Sequence, residues 1–268
     1  MAVFTLREAA GPLVVSMPHS GLELVAGQGA RLSPSARDLP DTDWHIPQLY
    51  DFLDDLDASV IEARYSRYVV DLNRDPSGVS LYPGQAVTGL VPTEMFDGTP
   101  LYLSGQAPDE VEIAQRRRVY FEPYHQALNA LLQRVKARHG YAVLWDAHSI
   151  ASRVPRLFDG RLPDLNLGTN SGQSCAPALQ SAAENAMAGQ EEFVCVANGR
   201  FKGGWITRHY GQPAAHIHAL QMEIAQDAYM DERLPFAFNA AKAERLRPVL
   251  QTIITAALDA AKTCPAGA

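Results

Sequence analysis

Apolar residues fall along the chain in two kinds of pattern. Five short runs, Leu13 to Met17, Ser59 to Ala63, Tyr68 to Leu72, Tyr141 to Trp145 and Phe193 to Ala197, are nearly continuous and have the length of buried strands. Ala219 to Ile224 is a sixth, weaker case. Elsewhere the spacing turns helical. Tyr124, Ala127, Leu128, Leu131, Leu132 and Val135 share one face of a predicted helix that starts beside Pro123 and stops at Gly140. Leu246, Leu250, Ile253, Ile254, Ala257 and Leu258 repeat the pattern over Glu244 to Lys262, where Pro248 must sit in the first turn or kink the helix.

Strands without polar alternation, separated by helices, predict an α/β fold: a mainly parallel sheet covered on both faces. No linker-like segment and no internal repeat divides the 268 residues, so residues 1–268 read as a single domain. In such sheets ligands bind beyond the carboxyl ends of the strands. Polar residues there should converge, and the strands run directly into Pro18-His19-Ser20-Gly21, Asp71-Leu72-Asn73-Arg74 and Asp146-Ala147-His148-Ser149.

The composition narrows the class of partner. At 47% hydrophobic the chain can bury a full core, and its formal charge of −7 argues against nucleic acid or an anionic membrane and for a small soluble ligand. No apolar run is long enough to span a bilayer, and Met1 to Pro12 lacks the pattern of a signal peptide, so a cytoplasmic location is expected. Cys175, Cys195 and Cys264 are too few and too far apart for a disulfide framework or a cysteine metal site. Cys195, in an apolar run, is expected in the core.

Two histidines at strand ends with carboxylates nearby match the donor set of a catalytic zinc site, although the same donors accept cobalt, manganese or iron. His19 and His148 are the first two candidate ligands. The third is expected to be an oxygen donor, with Asp43 preferred over Glu23 and Asp41. Small neighbours, Gly21 and Ala147, would let a ligand or metal approach the backbone. Asp146 is placed to orient the His148 ring.

Asn73 and Arg74 are the natural anchor for a substrate carboxylate, because a guanidinium offers two parallel donors to it; a salt bridge from Arg74 to Asp71 or Asp75 is the structural alternative. Arg64 and Arg67 lie close enough in sequence to reach the same region, and Arg208 and His209 could line it from the glycine-bracketed segment Gly203 to Gly211. Glu223, embedded among apolar residues, is a costly place for a carboxylate unless its protonation is useful, which suits a general base. Gly172-Gln173-Ser174-Cys175-Ala176 looks superficially like a serine nucleophile elbow but ends in Ala and follows no strand, and no nucleotide-binding loop is present.

Taken together, Met17-Pro18-His19-Ser20-Gly21, Asp41-Thr42-Asp43-Trp44-His45, Tyr68 to Pro76, Leu144 to Ser149, Leu165 to Thr169 and His218 to Glu223 resemble the N-formylglutamate amidohydrolases, the deformylases of histidine degradation. The resemblance implies a three-layer αβα fold related to the zinc exopeptidases and aspartoacylases. In those relatives a Glu stands three residues after the first histidine ligand, whereas this chain has Leu22 there; hence the preference for Asp43. The implied activity is metal-dependent, most simply zinc-dependent, hydrolysis of N-formyl-L-glutamate to formate and L-glutamate. In it Glu223 moves the proton and an arginine, Arg67, stabilises the oxyanion. A related deacylase or carboxypeptidase acting on another N-acyl acidic amino acid, or a carboxylate-binding protein without catalysis, are the competing readings.

Overall fold

A computed structural model describes residues 2–78 and 88–264. Seven strands form one sheet: β1 Phe4–Arg7, β2 Leu13–Met17, β3 Ser59–Ala63, β4 Ala142–Ile150, β5 Leu165–Gly168, β6 Cys195–Ala197 and β7 Ile217–Ala225, in the order β1-β3-β2-β4-β7-β5-β6. β2, β3, β4 and β7 run parallel, while β1 and β5 pair antiparallel to their neighbours β3 and β7, making the sheet mixed.

Besides the one-turn helices α1 Gln28–Arg31 and α2 Ile46–Leu49, the described residues form five longer α-helices: α3 Glu110–Arg116, α4 Glu122–His139, α5 Pro177–Ala188, α6 Trp205–Tyr210 and α7 Ala240–Lys262. α5 and α7 pack on one face of the sheet with Leu13, Val15, Trp145, Leu220 and Met222. α4 and α6 cover the other with Val14, Leu144 and Ala219. The three-layer α/β arrangement anticipated from the alternation of runs is therefore present.

Strand parity positions the chemistry. On β4 and β7 the residues that share a face with Leu144 and Ala219 are Asp146, His148, Gln221 and Glu223, and in the parallel register His148 lies opposite Glu223. The intervening residues, Trp145, Ala147, Leu220 and Met222, belong to the α5–α7 core. Both strands are buried throughout, so the polar side chains sit at the sheet's covered face rather than in solvent.

Three expectations need correction. Tyr68 to Leu72 is buried but forms turns instead of a strand. Side chains meet its carbonyls in place of a ladder, Gln28 and Arg116 donating to that of Tyr68 (2.8 and 3.2 Å) and His125 to that of Leu72 (2.9 Å), while the Val69 and Asp71 amides donate to the Ser66 and Leu90 carbonyls. The last helix, α7, begins at Ala240 rather than Glu244, which puts Pro248 in the helix interior, the second of the two placements expected for it. Cys195 is half-buried because β6 is the outermost strand, with Val194 beside it exposed.

Candidate active site

His19 follows β2, His148 stands within β4, and Asp43 lies in the loop that passes over both. The path of that first turn depends on Gly21: a Cβ there would stand 2.4 Å from the Tyr65 carbonyl oxygen. The glycine thus admits the backbone of residues 64–65 rather than a ligand, and the Glu23 amide donates to the Arg64 carbonyl to lock the turn.

One donor atom from each of His19, Asp43 and His148 lies within 4.8 Å of the others, and all three residues are buried. His148 Nδ1 meets Asp43 Oδ2 at 2.9 Å, and His19 Nδ1 lies 3.8 Å from the same oxygen. Each ring turns its other nitrogen to a carboxylate: His19 Nε2 to Asp71 at 2.8 Å and His148 Nε2 to Asp146 at 3.0 Å. This fixes which nitrogen of each ring faces the cluster. His19 Nδ1 and Asp43 Oδ1 have no hydrogen-bond partner although both are buried, the condition that a cation between them would relieve. The donor set of two imidazoles and a carboxylate therefore fits a divalent ion.

The alternatives for the third ligand are engaged elsewhere. Glu23 is exposed and paired with Arg64 at 2.6 Å. Asp41 accepts from the Tyr68 hydroxyl at 2.8 Å and the Phe96 amide at 2.9 Å, and burial pushes its carboxyl up to about 6.

The charges around the cluster are arranged by burial and pairing. Burial acts to raise the Asp71 carboxyl, but Arg74, His19 and Arg67 outweigh it and hold the group well below the usual carboxylate range. Burial and the Arg67 charge lower the His19 imidazole, which favours the neutral form a metal ligand needs. Glu223 goes the other way: buried on β7, its carboxyl rises to about 7, since desolvation with Asp43 and Asp146 outweighs His148 and Arg67. Gln221 donates to it at 3.0 Å.

A cavity of ≈ 210 Å³ opens over the cluster, lined by His19, His148, Glu223, Arg67, Asn73 and Arg74 among others. Arg67 is buried, bonded to Asp71 at 2.7 Å and seated 4.5 Å above the Phe96 ring. Arg74 is three-quarters buried and reaches Thr88 Oγ1 at 3.0 Å. Asn73 lines the cavity and is held in place within the protein: its Oδ1 accepts from the Ile206 amide at 2.7 Å and its Nδ2 donates to Asp146 at 3.2 Å, which ties α6 to the His19–Asp43–His148 group. Gly204 makes room for it, as a Cβ there would stand 2.4 Å from Asn73 Nδ2.

Arg64 and Arg208 are not brought to the cavity. Arg64 faces solvent with Glu23, and Arg208, in the last turn of α6, donates Nε to the Gly203 carbonyl at 2.9 Å. His209 stacks on Trp205, on the helix that replaces the loop expected there. Ser174 donates to the Ala219 carbonyl at 2.7 Å and is structural. The sequence reading missed Gln221, Arg156 and Arg200, which also line the cavity. Gln221 was accessible by parity, two residues before Glu223; the two arginines lie in loops without a motif.

The sequence matches the family described as N-formylglutamate amidohydrolase over residues 11–230. The chain belongs to this family. It is 52% identical to the N-formylglutamate deformylase of Pseudomonas aeruginosa and 49% identical to that of Pseudomonas putida, over 96% of each chain in both cases. Among solved structures, the N-formylglutamate amidohydrolase of Ralstonia eutropha JMP134 superposes with a TM-score of 0.79 at 26% identity, covering 96% of this chain and 98% of that one. A gene product of Agrobacterium tumefaciens shares the fold, with a TM-score of 0.72 at 17% identity over 96% of this chain and 95% of that one.

Within this family member the loop carrying Asp71 and Asn73 is tethered by His125 of α4, a residue outside the apolar pattern of that helix. His125 donates Nε2 to the Leu72 carbonyl and meets the Tyr210 hydroxyl through Nδ1 at 3.0 Å. Burial drops its pKa from 6.5 to about 3. The unfolded chain therefore binds a proton that the native ring refuses between those values, and stability should fall as pH drops from about 6.5 toward 3, by roughly 1.4 kcal/mol per pH unit at the steepest. His125→Gln keeps a donor and an acceptor but does not titrate. Urea midpoints at pH 7 and pH 4.5 should show a smaller acid loss in the variant than in the wild type; equal losses would remove His125 from the account.

Proposed function

We propose that this protein hydrolyses N-formyl-L-glutamate to formate and L-glutamate with a divalent metal, zinc in the first instance, held by His19, Asp43 and His148, as a cytoplasmic enzyme of histidine degradation. The observation that carries the reading is the juxtaposition of a buried His–Asp–His group, in which His19 Nδ1 and Asp43 Oδ1 lack hydrogen-bond partners, with a carboxyl, Glu223, raised to about 7 in the same cavity. The names of the two Pseudomonas relatives support the substrate.

A divalent ion at these ligands supplies Lewis acidity toward the formyl oxygen and makes water easier to deprotonate. Glu223 accepts a proton from the attacking water and returns it to the amide nitrogen as the C–N bond breaks, so that formate and the free amine leave. A carboxyl near neutrality does both jobs, since it is neither too weak a base nor too reluctant an acid. Arg67, held by Asp71 and Phe96, supplies positive charge to the oxygen that becomes an oxyanion. Arg74 takes the α-carboxylate at the cavity wall, its geometry set by Thr88.

The test is formate release from N-formyl-L-glutamate before and after chelation, with zinc, cobalt or manganese added back. Activity lost and then restored is the expected result. Absence of turnover with every metal, or turnover only on N-acetyl or N-succinyl amino acids, would overturn the substrate.

A further inference from the structure

Of the three residues that offer a donor to a metal, two are fixed by the sheet. His148 lies within β4 and His19 comes shortly after β2, whereas Asp43 sits in a loop with no strand ladder around it. A loose loop would have to be ordered each time a cation bound, at a cost in backbone entropy. This loop is held on both flanks of Asp43. The Thr42 carbonyl accepts from Gln226 Nε2 at 2.8 Å, and the Trp44 carbonyl accepts from the Tyr229 hydroxyl at 2.6 Å. Both donors belong to the turn that directly follows β7, the strand carrying Glu223.

Ser149, the neighbour of His148 on β4, closes the network. Its amide donates to Asp43 Oδ2 at 3.1 Å, and its hydroxyl oxygen lies 2.8 Å from the Tyr229 oxygen and 3.3 Å from Gln226 Nε2. The donors available set the direction of each bond. A carbonyl only accepts, so the single Tyr229 proton goes to Trp44; the Ser149 hydroxyl then donates to the Tyr229 oxygen, and the second Gln226 N–H donates to Ser149 Oγ. Thr42, Asp43, Ser149, Gln226 and Tyr229 are all buried, which shields these bonds from competing solvent. His45, two residues past Asp43, stands at φ 59°, a left-handed conformation that a residue other than glycine keeps only where its surroundings fix it. We propose that Gln226 and Tyr229 are positioning residues for the metal centre: by gripping the backbone on each side of Asp43, they hold its carboxylate against the two imidazoles before a cation arrives. The proposal rests on Asp43 being the third ligand in the reading above. It also joins the end of β7 to the ligand loop, so one strand carries the proton-transfer group and leads into the grip on the carboxylate ligand.

The experiment uses two variants that remove the grip without touching Asp43. Tyr229→Phe keeps the ring and loses the hydroxyl; Gln226→Met keeps the length of the side chain and loses both N–H donors. Zinc affinity is read by competition with a chromogenic chelator, the ligand field by the visible absorption of the cobalt(II) form, and the fold by the urea midpoint of the metal-free protein. Each variant should bind zinc about 10-fold more weakly than the wild type or worse, the range typical of groups that orient metal ligands. The cobalt(II) band should shift in both, because the Asp43 oxygen is no longer held in one place. Wild-type zinc affinity and cobalt(II) spectrum in both variants, whatever their urea midpoints, would overturn the proposal and leave Gln226 and Tyr229 as contacts of the fold alone. Wild-type protein that binds zinc no more tightly than Asp43→Asn would instead refute the ligand assignment itself, and the proposal with it.

Discussion

Replacing Glu223 with Gln is expected to lower kcat/KM on N-formyl-L-glutamate by about 10³-fold or more while leaving metal content unchanged. The substitution keeps the volume and one acceptor, so the hydrogen bond from Gln221 can persist, but it removes the only atom set that can take and return a proton at that point on β7. The acid limb of the wild-type profile should follow the same group. Glu223 works as a base only when ionised, so kcat/KM should rise with pH as it loses its proton, over a range below the metal-free value of about 7 because a bound cation favours the carboxylate. The variant's residual activity should lack that limb. Loss of the metal in the variant would transfer Glu223 from proton transfer to metal binding.

The same residue exposes a cost of function. Its folded pKa, about 7, stands above the ordinary 4.5, so the native state holds the proton longer than the unfolded chain. In metal-free protein this contribution declines as pH rises from 4.5 toward 7, by up to about 3 kcal/mol across the window. Glu223→Gln, which does not titrate, should therefore unfold at a higher temperature than the wild type at pH 8, with the gap closing near pH 4.5. An inactive variant that is also more stable is what a carboxylate buried for catalysis predicts.

What could be read from the residues divides along physical lines. β2 and β3 were recovered to the residue because each is a short apolar run bounded by Gly11-Pro12, Pro18 or polar residues. Asp146 and His148 were expected beyond a strand ending at Trp145, whereas β4 continues to Ile150 and holds them within the sheet, and only the parallel register with β7 brings them to the face of Glu223. Tyr68 to Leu72 defeated the same reasoning, since periodicity reports burial and not what the backbone bonds to; Gln28, Arg116 and His125 stand in for a neighbouring strand. β5 was missed as a strand because Leu165 to Gly168 is only four residues long and carries Asn166. The arginines split similarly. Arg67 and Arg74 lie in the segment tied to the cluster through Asp71, whereas Arg64, directly after β3, is exposed and pairs with Glu23. Nothing in the spacing of Arg156 or Arg200 announces the cavity, because loop residues meet there only through the tertiary fold.

Asp43→Asn is expected to cost more metal affinity than any other single carboxylate change in the protein. Asp43 presents one oxygen to His148 Nδ1 and the Ser149 amide (2.9 and 3.1 Å), and its other oxygen, buried, has no hydrogen-bond partner. His148, His19 and Arg67 hold the carboxyl below its ordinary range against the opposing effect of burial, so it is ionised and available as a donor. Outer partners of metal ligands typically contribute 10- to 100-fold in affinity, so Asp71→Asn and Asp146→Asn should fall in about that range and Asp43→Asn beyond it. Asp41→Asn and Glu23→Gln should retain the metal, because the first carboxylate is bound to Tyr68 and Phe96 and the second faces solvent with Arg64. Competition with a chromogenic zinc chelator would rank all five variants. Retention of metal by Asp43→Asn together with its loss in Asp41→Asn or Glu23→Gln would move the third ligand to the other carboxylate, and with it the position of the reacting formyl group relative to Glu223.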